Sequence, residues 1–211
     1  MTVPKIITLL TKVYHLQAHT SLHDVSVRNF SFPGATAQDD LDDQLGRFFA
    51  VCPPKKAPDS KPALDPTNTC YVFSLGINDC GRTDEDDLDE IVEKILDAAH
   101  RLYTKAGARD FIFIDLPPID RSPRYVFYLL YILPTIPYVH SSVRVLTRDA
   151  KATVFCFSAY AVFTDILNNP VDYEFEEDDT TYEGGAIWAD ELHATSAMHK
   201  IMANRLLQRM G

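Results

Sequence analysis

The sequence predicts an α/β sandwich built around a parallel sheet, and two observations carry that expectation. Four short runs, "DVSVRNFSF" (24–32), "CYVFSLG" (70–76), "DFIFIDL" (110–116) and "ATVFCFSA" (152–159), read as strands, and three of them are nearly continuous apolar stretches, as strands buried on both faces are. Helical patterns lie between them, and strands alternating with helices pack as helix layers on the faces of a parallel sheet. With 211 residues and 46% apolar content, the chain is expected to form one domain, 1–211, with a full core.

Taken in order, residues 4–17, "PKIITLLTKVYHLQ", are expected to form the first helix. His15, His19 and His23 would line one face as metal ligands if that helix ran on through Ser21. "HTSLHD" reads instead as a helix end and a strand start, which takes His23 off that face. The helices expected at 38–51 and 84–106 open on the acidic runs "DDLDD" (39–43) and "DEDDLDE" (84–90), whose carboxylates offset the positive end of a helix dipole. In the second helix Leu88, Ile91, Val92, Ile95, Ala99, Leu102, Tyr103 and Ala106 recur at helical spacing behind Thr83, a suitable N-cap. A final helix is expected at 194–209. "CPPKKAPDSKPALDPTNT" (52–69) reads as a surface loop and "EFEEDD" (174–179) as a solvated one. "YVFYLLYILPTIPYV" (125–139) is apolar but broken by Pro134 and Pro137, and it falls short of the roughly 20 residues a membrane-spanning helix needs. No stable membrane insertion is expected; the stretch reads either as a hydrophobic lid or as a segment foreign to the natural protein.

Thirty acidic against twenty basic side chains give a formal charge of -10, which repels polyanions, so no nucleic-acid partner is expected. Cys52, Cys70, Cys80 and Cys156 are irregularly spaced with no CxxC, which suggests neither a zinc knuckle nor a dense disulfide framework; Cys70 and Cys156 read as core residues. The N-terminal apolar patch is followed by no small-residue cleavage site, so no signal peptide is expected and the chain as written reads as cytoplasmic. Neither GxGxxG nor GxxxxGK[ST] follows a strand, which leaves dinucleotide and P-loop chemistry without support.

In an open parallel sheet ligands bind beyond the carboxyl ends of the strands, so the stretches that follow them are the place to look for chemistry. They are "PGATAQDD", "GINDCG" and "PPIDRSP", and "WADELH" precedes the last helix. The backbone N–H of Gly34 could point at a developing oxyanion, or Gly34 could simply serve a turn that needs positive φ. The Asn78 amide could donate to the same oxygen, or close an Asx turn. Asp190 could accept from Nδ1–H of His193 and leave Nε2 as a general base; the alternative is an aspartate at a helix N-terminus beside an incidental histidine.

In this order "NFSFPGATA", "GIND" and "DELH" resemble the second, third and fifth blocks of the SGNH, or GDSL-type, serine ester hydrolases, and look most like fungal acyl esterases. "IFIDLPPIDRSP" is similar to the segment that follows the third block, and the resemblance covers most of 22–120 and 143–208. It implies a flavodoxin-like three-layer α/β/α fold and a small acyl-ester substrate, with no cofactor and no metal. It also implies Gly34 and Asn78 as oxyanion donors, His193 as base and Asp190 as the acid that orients it. The family's first block, a strand ending in Gly-Asp-Ser with the nucleophile, has no counterpart: none of the ten serines follows Gly-Asp after a strand. In the strand order 2-1-3-4-5 of this fold, the absent strand would be the central one. The domain is therefore expected to be N-terminally incomplete, with Met1 falling inside it, and the strands at 24–32 and 70–76 to expose apolar edges prone to aggregation. A signal peptide carried by a lost upstream segment would make the protein secreted.

Overall fold

A computed structural model of the chain describes the backbone of residues 5–10 and residues 26–54, 56, 62–82, 88–124 and 151–210 in full. Its centre is a five-stranded sheet, all parallel, made of β1 (Lys5–Leu10), β2 (Ser26–Asn29), β3 (Thr69–Ser74), β4 (Asp110–Ile114) and β5 (Thr153–Phe157). The order across the sheet is β2-β1-β3-β4-β5. Among the described residues four α-helices of at least two turns accompany it: α1 (Leu41–Val51), α2 (Leu88–Arg101), α3 (Ala159–Asn168) and α4 (Ser196–Met210).

The alternation of side chains along each strand separates two core layers. Tyr71, Phe73, Phe111 and Phe113 face Leu45 and Phe48 of α1 and Ile91, Ala98 and Ala99 of α2. Phe73 stacks on Phe113 with ring centroids 5.0 Å apart, while Tyr71 lies edge-on to Phe48 at 5.9 Å. On the opposite face Val72, Ile112 and Phe157 meet Ala203 and Leu206 of α4. Alongside, Phe163, Ile166 and Leu167 of α3 bury Ile187, Trp188 and Met198. The architecture is a three-layer α/β/α sandwich.

Residues 5–10 correct the expected first helix: they are a strand, and it lies at the centre of the sheet. Lys5–Thr8 pair with β2 and Lys5–Leu10 with β3. "KIITLL" satisfies both periodicities, because six residues are too few to separate an apolar helix face from a strand buried on both sides. Three of the six are β-branched, which favours the extended form inside a sheet. The central strand expected to be missing is therefore present, and β1 covers the inner edges of β2 and β3, so the ground for expecting them to aggregate is removed.

The helix expected at 84–106 is described from Leu88, runs as α2 to Arg101 and continues as a π-helical turn, Leu102–Ala106; Thr83 lies outside the described residues. Asp42 and Asp43 open α1, and Asp89 and Glu90 open α2, as the dipole argument requires. Helix α3 was not foreseen. Ser158 caps it, its Oγ accepting from Ala161 N–H at 3.0 Å. The stretch 174–179 is more ordered than a solvated loop, with Phe175 buried and a 3₁₀ turn at Glu177–Thr180 closed by a capping box. Among the described residues no helix is long and apolar enough to cross a membrane; the apolar stretch 125–139 lies outside them.

Candidate active site

Because all five strands run the same way, the turns after β2, β3 and β4 leave one edge of the sheet. The first contains Gly34, held at φ +76° in the left-handed region that glycine adopts without a steric penalty. The second begins at Gly76, φ +109°, and winds into a single helical turn, Ile77–Cys80. Asn78 in that turn closes no Asx turn; its Nδ2 reaches across and donates to Ala35 O at 2.9 Å. Gly34 and Asn78 are thus brought together by their own segments.

The turn also holds a residue that the sequence reading passed over. Asp79, only 1% exposed, accepts Ala37 N–H on Oδ2 and Gln38 N–H on Oδ1, both at 2.9 Å. An acid inside a glycine-bounded turn was the available signal, since a carboxylate there must either face water or find donors.

Asp190 and His193 also come together. The imidazole Nδ1 lies 2.9 Å from Asp190 Oδ2 and 3.0 Å from Oδ1, while Oδ1 accepts the backbone N–H of Leu192 at 2.9 Å and of His193 at 2.7 Å. These bonds hold the Asp190 carboxyl down at about 2, the His193 backbone amide contributing most, then the Leu192 amide and then the imidazole. Asp190 is an anion at any physiological pH. The helix-cap alternative fails on position: α4 begins at Ser196, and Thr195 Oγ1 accepts from Met198 N–H at its start. Both side chains remain open to solvent, Asp190 at 49% and His193 at 59% exposure, so a substrate has access.

The rigidity of this exposed pair comes from what lies beneath it. Ile187 and Trp188 are fully buried, and the Trp188 indole N–H donates to Thr180 O at 3.0 Å. Ala189 N–H bonds His193 O at 2.7 Å and Thr195 N–H bonds Ile187 O at 2.9 Å, which closes a tight loop around the pair. The loop is joined to the turn after β4: Arg124 N–H donates to Glu191 O at 2.9 Å and its guanidinium lies 3.1 Å from the Glu191 carboxylate. No hydrogen bond joins the pair to Gly34 or Asn78 among the described residues.

No described serine bonds the imidazole. Ser31 donates to Asn29, Ser158 caps α3, Ser26 and Ser74 lie in strands, Ser122 is buried and Ser196 opens α4. The cysteines offer no substitute. None forms a disulfide among the described residues, and burial pushes the thiols of Cys70 up to about 12 and of Cys80 up to about 11, far from the reactive thiolate. His15, His19 and His23 lie outside the described residues, among which no group of three potential ligands could hold a metal ion.

Comparison with solved structures agrees with this geometry at the level of fold. The chain superposes on a catalytic mutant of Axe2, an acetylxylan esterase from Geobacillus stearothermophilus, with a TM-score of 0.63 at 15% identity, covering 99% of this chain and 94% of that one. It also superposes on a member of the lipolytic protein G-D-S-L family from Veillonella parvula, with a TM-score of 0.58 at 15% identity, covering 97% and 96%. No curated protein sequence matches. The family described as GDSL-like Lipase/Acylhydrolase matches residues 12–206, nearly the whole chain, and this protein belongs to that family of ester hydrolases.

Proposed function

We propose that this chain carries the base, the orienting acid and the oxyanion donors of a hydrolase for short acyl esters, the acetyl esters of carbohydrates among them. The observation that carries the reading is the short contact of His193 Nδ1 with a carboxylate kept ionised by two backbone amides. With Nδ1–H given to Asp190, Nε2 is left with a lone pair and can take a proton from a hydroxyl nucleophile as that oxygen attacks the ester carbonyl. The protonated imidazole then returns the proton to the leaving alcohol. The tetrahedral oxyanion is received by Gly34 N–H and by Asn78, whose amide has two N–H groups and commits one to Ala35. An apolar cavity of about 60 Å³ borders the same turn, with Phe73, Gly76, Cys80 and Leu116 in its wall, and supports a short acyl chain.

A second reading, a binding module that retains the cleft without turnover, is favoured by one observation: Gly-Asp-Ser does not occur in these 211 residues. One experiment separates the readings. The chain is treated with a serine-directed fluorophosphonate and, separately, with p-nitrophenyl acetate. It is expected to stay unlabelled, because no described serine bonds the imidazole, and to hydrolyse the ester slowly, with His193 Nε2 acting as general base on an attacking water. That slow rate should vanish in His193→Ala. A serine label would identify a nucleophile and end the binding-only reading, whereas turnover indifferent to His193 would end the hydrolase reading.

A further inference from the structure

We infer that Asp79 is the positioning residue of the oxyanion site: its buried carboxylate holds the backbone after Gly34 in place so that the Gly34 N–H and the Asn78 amide face one oxygen. The inference rests on the reading of Gly34 and Asn78 given above. Three observations support it. The first is how Gly34 itself is seated. It is exposed, and a Cβ built on it would meet nothing within 4 Å, so no side chain crowds that face of Gly34. The direction of its N–H is left to its neighbours.

The second observation is the grip on those neighbours. Asn78 donates to Ala35 O, and Asp79, the next residue, accepts from Ala37 N–H and Gln38 N–H. Two consecutive side chains on the turn after β3 thus hold three backbone groups of the turn after β2, more than forty positions away. The bonds run in both directions, donor to carbonyl and amide to carboxylate, so the backbone can neither slide nor rotate without breaking one.

The third is the choice of side chain. Asp79 is 1% exposed, and no Lys, Arg or His forms an ion pair with it among the described residues. Burying an ionised carboxylate is costly unless donors replace its water, and here two amides do so. Among side chains of this length only a carboxylate presents two acceptor oxygens; asparagine would turn an N–H₂ against one of the two backbone donors.

The test uses the full chain, labelled with ¹⁵N, and acetate, the product anion of acetyl-ester cleavage, as the probe. In the wild-type protein acetate should shift the Gly34 amide and the Asn78 side-chain amide in a saturable way. Asp79→Asn should weaken that binding about tenfold or more, the scale of one misplaced hydrogen bond to a charged group. Leu206→Ala, a core truncation on the opposite face of the sheet, should lower stability yet keep the acetate affinity. Unchanged affinity in Asp79→Asn, or an equal loss in Leu206→Ala, would overturn the positioning role while leaving the oxyanion reading standing. Absence of any acetate response at Gly34 and Asn78 in the wild type would overturn the oxyanion reading, and this inference with it. If Asp79→Asn does not fold, wild-type hydrogen exchange decides: Ala37 and Gln38 amides protected to the level of the β3 amides support the clamp, and exchange as fast as in an open loop refutes it.

Discussion

Replacing Asp190 by asparagine should reverse the tautomer of His193 while leaving the fold intact. In the native pair an ionised carboxylate can only accept, so in the neutral imidazole the proton belongs on Nδ1 and Nε2 is bare. An asparagine keeps Oδ1 for the amides of Leu192 and His193 but turns an N–H₂ toward the ring, so Nδ1 must become the acceptor and the proton moves to Nε2. The stability cost is small because both side chains are about half exposed. An exposed pair of this kind is worth about 0.2–1 kcal/mol, which for a chain of this length is a fall in Tm of no more than about 4 °C. Long-range ¹H–¹⁵N correlation spectra of the imidazole read the tautomer directly, and a thermal melt reads the stability. An unchanged Nδ1–H tautomer would refute the orienting role of Asp190, and a Tm loss beyond about 10 °C would show that the residue holds the fold rather than the base. The acid limb follows the same logic. The folded-state value of the Asp190 carboxyl is depressed to about 2, so its contribution is fully present above the ordinary aspartate value near 4 and is lost as pH falls toward 2. The amide resonances of Leu192 and His193 should titrate with a midpoint near the lower value.

Two glycines with the same empty surroundings should respond to alanine with opposite signs. A Cβ at Gly34 or at Gly46 would meet nothing within 4 Å, but Gly34 has φ +76° while Gly46 lies inside α1. Gly34→Ala should destabilise by about 1–2 kcal/mol and Gly46→Ala should stabilise by about 0.5–1 kcal/mol, read by urea denaturation; matching signs would refute the backbone argument. Trp188→Ala should cost about 3–5 kcal/mol and release the loop of Asp190 and His193 from its anchor. Loss of the Asp190 to His193 imidazole contact in the ring-nitrogen spectrum would report that release, and an intact contact at equal stability loss would contradict it.

The parts of the fold legible in the sequence were those in which one periodicity dominates. The apolar runs behind β3, β4 and β5 located them to within two residues, and the regular spacing from Leu88 to Ala106 marked α2. Where residues satisfy two patterns the reading went astray: "KIITLL" fits a helix face and a buried strand equally well, and its true state is decided by partners far along the chain. Helix α3 escaped for a related reason. "AYAVFTDILN" has little polar face to reveal a helical period and follows directly on an apolar strand. The candidate site was legible where a side-chain type names its own chemistry, as for His193 beside Asp190. Asp79 was not, because a buried acid looks like any exposed one until the amides that donate to it are seen in space.

The central place of β1 bears on how the molecule is assembled. Among the described residues β2 has β1 as its only neighbour in the sheet, whereas β3, β4 and β5 are contiguous without it. Lys5 sits opposite Ser26, 21 positions along the chain, and opposite Thr69, 64 positions along. Closing the longer of these loops costs about 1 kcal/mol more in chain entropy, so β1 is expected to join β2 first and the pair to dock on a preformed β3–β4–β5 unit. Gly34 follows β2 in the chain, so the pairing of residues 5–10 governs when Gly34 meets Asn78.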